Sequence, residues 1–340
     1  MKELLKTLCS LDGVSGQENA VRDWIAAKLQ DLPHVDRLTV DPLGNILVHL
    51  TGERSAQKTL LFAAHMDEVG LIATGVTDDG FVRLTTVGGI DKAVLFGHRI
   101  RFGEHVGVIG GKAIHMCKGD EEEKIPEGDL LCDIGVDSRE EAEAIVAPGD
   151  VAVFDSEFGD LGHLVKGRAI DDRAGCALLL TLAETRPPVE CWLAFTVQEE
   201  IGLRGAKTAA YTIKPDIAVV VDATTAADVA GVEKDKRVCA VGNGAVVSFM
   251  DRRTLYDKPL YDFIMQTASE NGIKAQPKSM VAGGNDAGSI QTAGAGAKVA
   301  AISLPCRYIH SPSCVLSMAD LEETAKLLAA LVEPLGSGVL

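Results

Sequence analysis

Three unbroken apolar runs, KTLLFAA, CWLAFTV and DIAVVVD, constrain this chain more than any other feature. Each reads as a buried strand, and each leads into residues that carry charge. Charge at the end of a buried strand is expensive unless something neutralises it. In open α/β sheets, ligands gather at the carboxyl ends of strands. Five segments have this character: His65 and Asp67 in AAHMDEVG, Asp171 in GRAIDDRAG, Glu199 and Glu200 in TVQEEIGLRGA, Asp222 in VVVDAT, and His310 in RYIHSPS. A divalent metal would neutralise such a set.

The length, 340 residues, suffices for two domains and a large core. A net charge of −16 argues against a nucleic-acid partner and leaves no basic stripe for an acidic membrane. Its plain explanation is solubility, and it also suits cationic metals or peptide amines. None of the eight cysteines forms a C-x-x-C pair, which fits a reducing compartment better than a disulfide framework. The N-terminal stretch has no long apolar core or cleavage site, and no run approaches a membrane span. The expected location is cytoplasmic.

Helical spacing of Leu4, Leu5, Leu8 and Leu11 opens the chain. Ser15 and Glu18 form a candidate cap for a second helix, which buries Val21, Trp24, Ile25 and Leu29. RLTVDPLGNILVHL reads as two strands about a turn. From about Val69 to Lys166 the texture becomes short β-like runs separated by glycine, with an expected exposed loop at KGDEEEKIPEGD and a short helix capped by Ser138. The α/β pattern resumes at Gly167: a helix in DDRAGCALLLTLAET, strands at 191–197, 216–222 and 245–250, a helix ending at Asn271–Gly272, a shorter one in NDAGSIQTAG, the strand VAAISLP and a closing helix. The simplest account is a β-rich domain inserted into an α/β domain.

Each chemical segment also has a plainer explanation. His65 and Asp67, two apart on extended chain, face the same way, so the acid can orient a metal-bound imidazole; the pair also suits a polar strand end. Glu199–Glu200 is either an exposed pair or one ligand beside a free proton acceptor. Asp171–Asp172 opens a helix, where one acid serves as a cap. Asp222 fits a nucleotide binder too, and lone histidines such as His310 are usually structural. No G-x-S-x-G elbow, P-loop or GxGxxG is present. All five segments occur together at strand ends, and that joint occurrence favours metal.

HMDEVG, DDRAG, TVQEEIGLRGA, VDAT, GGNDA and RYIHSPS, with the β-rich insertion, make the chain resemble the M42 family of cocatalytic metallo-aminopeptidases nearly end to end. That family includes tetrahedral (TET) and glutamyl aminopeptidases, and some members are labelled endoglucanases. The resemblance implies a mixed-sheet α/β/α peptidase domain, residues 1–68 and 165–340, carrying an inserted β-rich dimerisation domain, residues 69–164. It implies two divalent ions, zinc or cobalt. His65 and Asp222 would hold one and Glu200 and His310 the other, with Asp171 bridging them before a cis peptide to Asp172. Asp171 is taken as the bridge because related metallopeptidases carry a glycine four residues later, where this chain has Gly175. Glu199 would be the general base and Asp67 the partner of His65. Asn285, Ala230 and Cys314 depart from the family's usual Thr, Pro and acid; none is an implied ligand, and they bear on substrate preference and loop packing.

The expected function is removal of N-terminal residues from peptides with a free amine. Its nucleophile would be a water or hydroxide shared by metals about 3.5–4 Å apart. A homo-oligomer built from dimers, up to a dodecamer, is implied. The rivals are a two-metal deacylase of N-acylated amino acids or peptides and a non-catalytic scaffold. A glycosidase needs two uncomplexed carboxylates, and here the best acids are committed to metal.

Overall fold

Every residue of the strand Leu60–His65 is buried, so both faces of the sheet around it must be covered. In the computed structural model, which describes residues 1–111 and 130–339, they are. The strands are β1 (Val35–Val40), β2 (Ile46–Leu50), β3 (Leu60–His65), β4 (Gly70–Val76), β5 (Val82–Val87), β6 (Arg99–Phe102), β7 (His105–Ile109), β8 (Leu131–Asp133), β9 (Val151–Phe154), β10 (Gly159–Leu161), β11 (Leu164–Gly167), β12 (Cys191–Thr196), β13 (Ile217–Thr225), β14 (Ala245–Val247), β15 (Ala275–Pro277), β16 (Lys298–Arg307) and β17 (Cys314–Ser317). The helices are α1 (Lys2–Ser10), α2 (Asn19–Leu29), α3 (Arg139–Glu143), α4 (Ile170–Ala183), α5 (Arg204–Ile213), α6 (Lys258–Glu270), α7 (Ala287–Gln291) and α8 (Met318–Gly336).

Among the described residues the large sheet runs β1-β2-β12-β3-β13-β16-β17-β11-β10, with β14 and β15 branching from β16. Its centre, β12-β3-β13-β16, is parallel. Antiparallel strands flank it on both sides. Alternate residues of β3 serve opposite layers, as strand geometry requires. Leu60, Phe62 and Ala64 pack with α1, α2, α4, α6 and α8, whereas Leu61 and Ala63 pack against the small residues Ala206, Ala209 and Ala210 of α5 and Ile290 of α7. Each fully buried large side chain contributes roughly 1.5–3 kcal/mol. The mixed-sheet α/β/α class read from the sequence is the one observed.

The glycine-spaced runs form a closed barrel, β4-β5-β8-β7-β6-β9, around Leu71, Val82, Ile100, Phe102, Ile109 and Phe154. Its strands fall between Gly70 and Phe154, and the hairpin β10-β11 pairs with β17 in the large sheet. The stretch KGDEEEKIPEGD lies outside the described residues. Ser138 caps α3 by accepting from the Glu141 amide. The expected Ser15 cap does not form: Glu18 takes the N-cap position of α2 without a side-chain cap bond, and the Ser15 hydroxyl donates elsewhere. The strand expected to end at Asp222 continues to Thr225. Among the described residues, no helix is long and apolar enough to cross a membrane.

Candidate metal centre

Parallel pairing aligns the carboxyl ends of β3, β12, β13 and β16, and the site sits there. His65 is the last residue of β3, and Asp222 lies beside Ser303 of β16. Glu199 and Glu200 follow β12, and His310 follows β16. Asp171 and Asp172 begin α4, and the peptide between them is cis, as the resemblance implies.

Both imidazoles are anchored through Nδ1 to a backbone carbonyl: His65 to Asp67 O at 3.1 Å, His310 to Gly89 O at 2.7 Å. A neutral ring that donates through Nδ1 presents its Nε2 lone pair. Nε2 of His65 lies 3.2 Å from Asp171 Oδ1 and 3.6 Å from Asp222 Oδ1. Nε2 of His310 lies 3.4 Å from Asp171 Oδ2 and 3.2 Å from Glu200 Oε1. The two oxygens of Asp171 therefore face two separate donor groups. Asp171 Oδ1 is buried without an aligned hydrogen bond.

Asp172 behaves differently. Its carboxylate accepts from the His65 amide at 3.2 Å and from the Gly175 amide at 3.0 Å, which caps the helix. It lies within reach of the cluster with His65 and Asp222, but its oxygens are already engaged by backbone.

Asp67 is fully buried. Its carboxylate accepts from Ser15 Oγ at 2.6 Å and from the amides of Glu199 and Glu200 at 3.0 and 3.1 Å. It stands 3.5 Å from His65 Nδ1, farther than its own carbonyl. Burial opposes its charge, yet His65, Ser15 and the Glu199 amide hold the carboxyl below its ordinary range. Asp67 thus joins the His65 strand to the loop bearing both glutamates.

Asp171 is held low as well, burial opposing its charge but His310 and His65 outweighing it, whereas Asp172, Glu199, Glu200, Asp222 and Asp286 are driven the other way. Burial pushes Asp222 up to about 7, with Asp171 adding repulsion and His65 opposing. Burial likewise raises Glu199 well above its ordinary range, Asp222, Asp286 and Glu200 adding to it. Burial disfavours charge on the imidazoles too, but Asp171 and Glu200 lift His310 to about 11. Such a crowd of carboxylates needs compensating positive charge. Oxygen and imidazole donors converging within 4.8 Å of one another, one carboxylate oxygen left unbonded, suit a divalent cation.

Two residues in this region are absent from the sequence reading. Asp286 is buried, accepts from Thr196 Oγ1 at 2.6 Å and leaves Oδ1 unpaired. Lys278 lines the pocket above the cluster. Both sit in polar, glycine-containing stretches with no apolar run to flag them. Of the departures, Asn285 Oδ1 accepts from the Ala287 amide at the start of α7. Cys314 is buried beside Cys306, and Ala230 is exposed.

The profile of the M42 glutamyl aminopeptidase family matches residues 44–327. A putative aminopeptidase of Acetivibrio thermocellus is 36% identical over 98% of both chains. An aminopeptidase from the archaeon Desulfurococcus kamchatkensis superposes with a TM-score of 0.91 at 36% identity, over 97% of this chain and 94% of that one. The TET peptidase of Pyrococcus horikoshii, described as assembling into a tetrahedron or a large octahedral shell, gives 0.85 at 35% identity over 97% and 98%. A fold with metal-type donors at its strand ends is here that of a peptidase. The chain belongs to the M42 glutamyl aminopeptidase family. It is a hydrolase of the exopeptidase kind, from a metal-dependent family.

Proposed function

We propose that the chain is a two-metal aminopeptidase acting on peptides with a free N-terminus, with Glu199 as general base. The observation that carries this is Asp171, whose two oxygens face two separate imidazoles, each held by a carbonyl. His65 and Asp222 would hold one ion, His310 and Glu200 the other, and Asp171 both; zinc and cobalt suit this donor set. When bound, the pair supplies a water of lowered pKa and positive charge against a developing oxyanion.

The chain's own residues do the rest. Glu199 is buried at the pocket and outside both donor groups, and its raised pKa suits a carboxylate that takes a proton and returns it to the leaving amine. Asp67 fixes its backbone. Among the acids lining the pocket, Glu199 is the one outside the proposed donor set, whereas a glycosidase needs two uncomplexed carboxylates, which counts against a glycosidase. We propose further that residues 69–164 act as a dimerisation domain, that the dimers build a homo-oligomer, up to a dodecamer, and that the protein works in the cytoplasm.

Amino-acid anilides, free and N-acetylated, test the function on metal-reconstituted protein. Cleavage of the free-amine series alone is expected. Cleavage of the acetylated series alone would assign a deacylase, and cleavage of neither a scaffold. Glu199→Gln should retain its metal and lose about two to four orders of magnitude in kcat. Loss of metal from that variant would make Glu199 a ligand.

A further inference from the structure

The mouth of the pocket carries cations that none of this chemistry uses. After β14 the chain turns in a tight hairpin, Met250 bridging to Leu255, with Arg252 and Arg253 at its tip. The Arg252 amide donates to Gly283 O at 2.9 Å, so the hairpin abuts Gly283 and Gly284, which line the pocket together with the acids. The turn is held firmly: the buried Asp251 accepts from the amides of Arg253 and Thr254, both at 2.7 Å, and from the Tyr256 hydroxyl. The Arg253 stem lies in a cradle of two glycines. A Cβ at Gly284 would stand 2.5 Å from its Cγ, and one at Gly288 2.9 Å from its Cβ. Yet Arg252 and Arg253 are exposed, and neither guanidinium makes a hydrogen bond or ion pair with any described residue. An arginine fixed by backbone and stem, with its five donors unused, is preorganised to take a carboxylate. Lys278, buried in the pocket wall and likewise without a partner among the described residues, adds positive charge to this side of the site.

We propose that Arg253 recognises the C-terminal carboxylate of short peptide substrates. The proposal deepens the aminopeptidase reading above and rests on it. A short peptide is a zwitterion, and the site is polarised to match it, with the acids of the metal centre within and a guanidinium at the mouth. The guanidinium forks onto a carboxylate through two parallel bonds, which an amide or a continuing chain cannot match. Arg253 lies outside the pocket lining, so a side chain of the N-terminal residue, seated among the acids, is not its partner. The end of the departing segment, leaving past Gly283 and Gly284, is. An extended chain advances about 3.3–3.6 Å per residue, so only a C-terminus a few residues from the scissile bond falls at the rim. Exposed Met250, Met280 and Val281 on the same two segments offer the departing residues an apolar floor.

The test compares Leu-Gly, Leu-Gly-Gly and Leu-Gly-Gly-Gly with their C-terminal amides, and a much longer peptide with its own amide, on native metal-loaded protein. The acid should be preferred by about five- to fiftyfold in kcat/KM at one or more of the short lengths, through KM, and not in the long peptide. Added salt should shrink the ratio, because the pair is exposed. Arg253→Met should bring the ratio near unity with metal content intact, and Arg253→Lys should restore part of it. The native ratio and its salt dependence decide even if a variant fails to fold. Acids and amides cleaved alike at every short length overturn the proposal, as does a preference that survives Arg253→Met. A preference abolished by Lys278→Met but not by Arg253→Met would put the carboxylate inside the pocket, which also overturns it. So does an equal loss on every substrate with a changed oligomeric state in Arg253→Met, since the hairpin would then be an interface between copies. No cleavage of any of these free-amine peptides overturns the aminopeptidase reading itself, a different result from cleavage without preference for the acid.

Discussion

Gly175 shows how a single hydrogen can hold a site in place. It lies within α4, where propensity favours alanine over glycine by about 1 kcal/mol. A Cβ there would stand 2.7 Å from Cγ of Asp172, whose carboxylate leans on the glycine amide. That carboxylate also holds the His65 amide, so it cannot swing aside freely. Overpacking of this kind costs about 1–3 kcal/mol and outweighs the propensity gain. Gly175→Ala is therefore expected to be destabilised by up to about 2 kcal/mol net in denaturant unfolding, with weaker metal retention. A stabilised variant would mean that Asp172 is free to move. The implied glycine position was legible in DDRAG, but the reason for it was not, because it depends on a contact folded back from the same helix. Ser15 teaches the same lesson. Its local pattern reads as a cap, and the hydroxyl is instead spent on Asp67, which is remote in sequence.

At the scale of elements, the sequence was informative wherever burial was continuous. β3, β12 and β13 are apolar runs because both faces are covered. α5 escaped notice because the face it buries consists of Gly205, Ala206, Ala209 and Ala210, too small to mark a periodic stripe. The short strands β10, β15 and β17 were missed since three or four residues carry no period. Elements are also joined by charges that no local pattern discloses. Arg168, which directly follows β11, is paired with Glu68 beside the site, and both side chains are 4% exposed. Arg168 also reaches Asp12, which binds Arg101 of the barrel strand β6. Removing one partner of a buried pair costs about 3–5 kcal/mol. Arg173 at 3.3 Å and the Gly13 amide at 3.2 Å still attend Glu68, so Arg168→Met belongs at the low end of that range. A urea midpoint shifted down with unchanged slope would bear this out. An unchanged midpoint would mean that Arg173 alone satisfies Glu68.

For the whole molecule, the cysteines set a limit on alkaline stability. All seven described thiols are free and buried, in the large core, the barrel and the smaller clusters alike. Burial pushes Cys9, Cys132, Cys191 and Cys239 up to about 12, from an ordinary value of 9.0. A group whose pKa is raised by folding lends stability that is whole below its unfolded pKa and is lost as pH climbs toward the folded one. The window therefore runs from about pH 9 to 12, and stability must fall across it. Each thiol costs about 1.4 kcal/mol per pH unit there, so four together cost about 6. Net stabilities are about 5–15 kcal/mol, so unfolding should come within about one to three units above pH 9. Urea midpoints should drop steeply above about pH 9. At pH 8 a thiol reagent should find at most Cys117, which lies outside the described residues, until denaturant exposes all eight cysteines. A midpoint that stayed level to pH 11 would show that these thiols ionise without unfolding the chain, and would place them nearer water than the packing here allows.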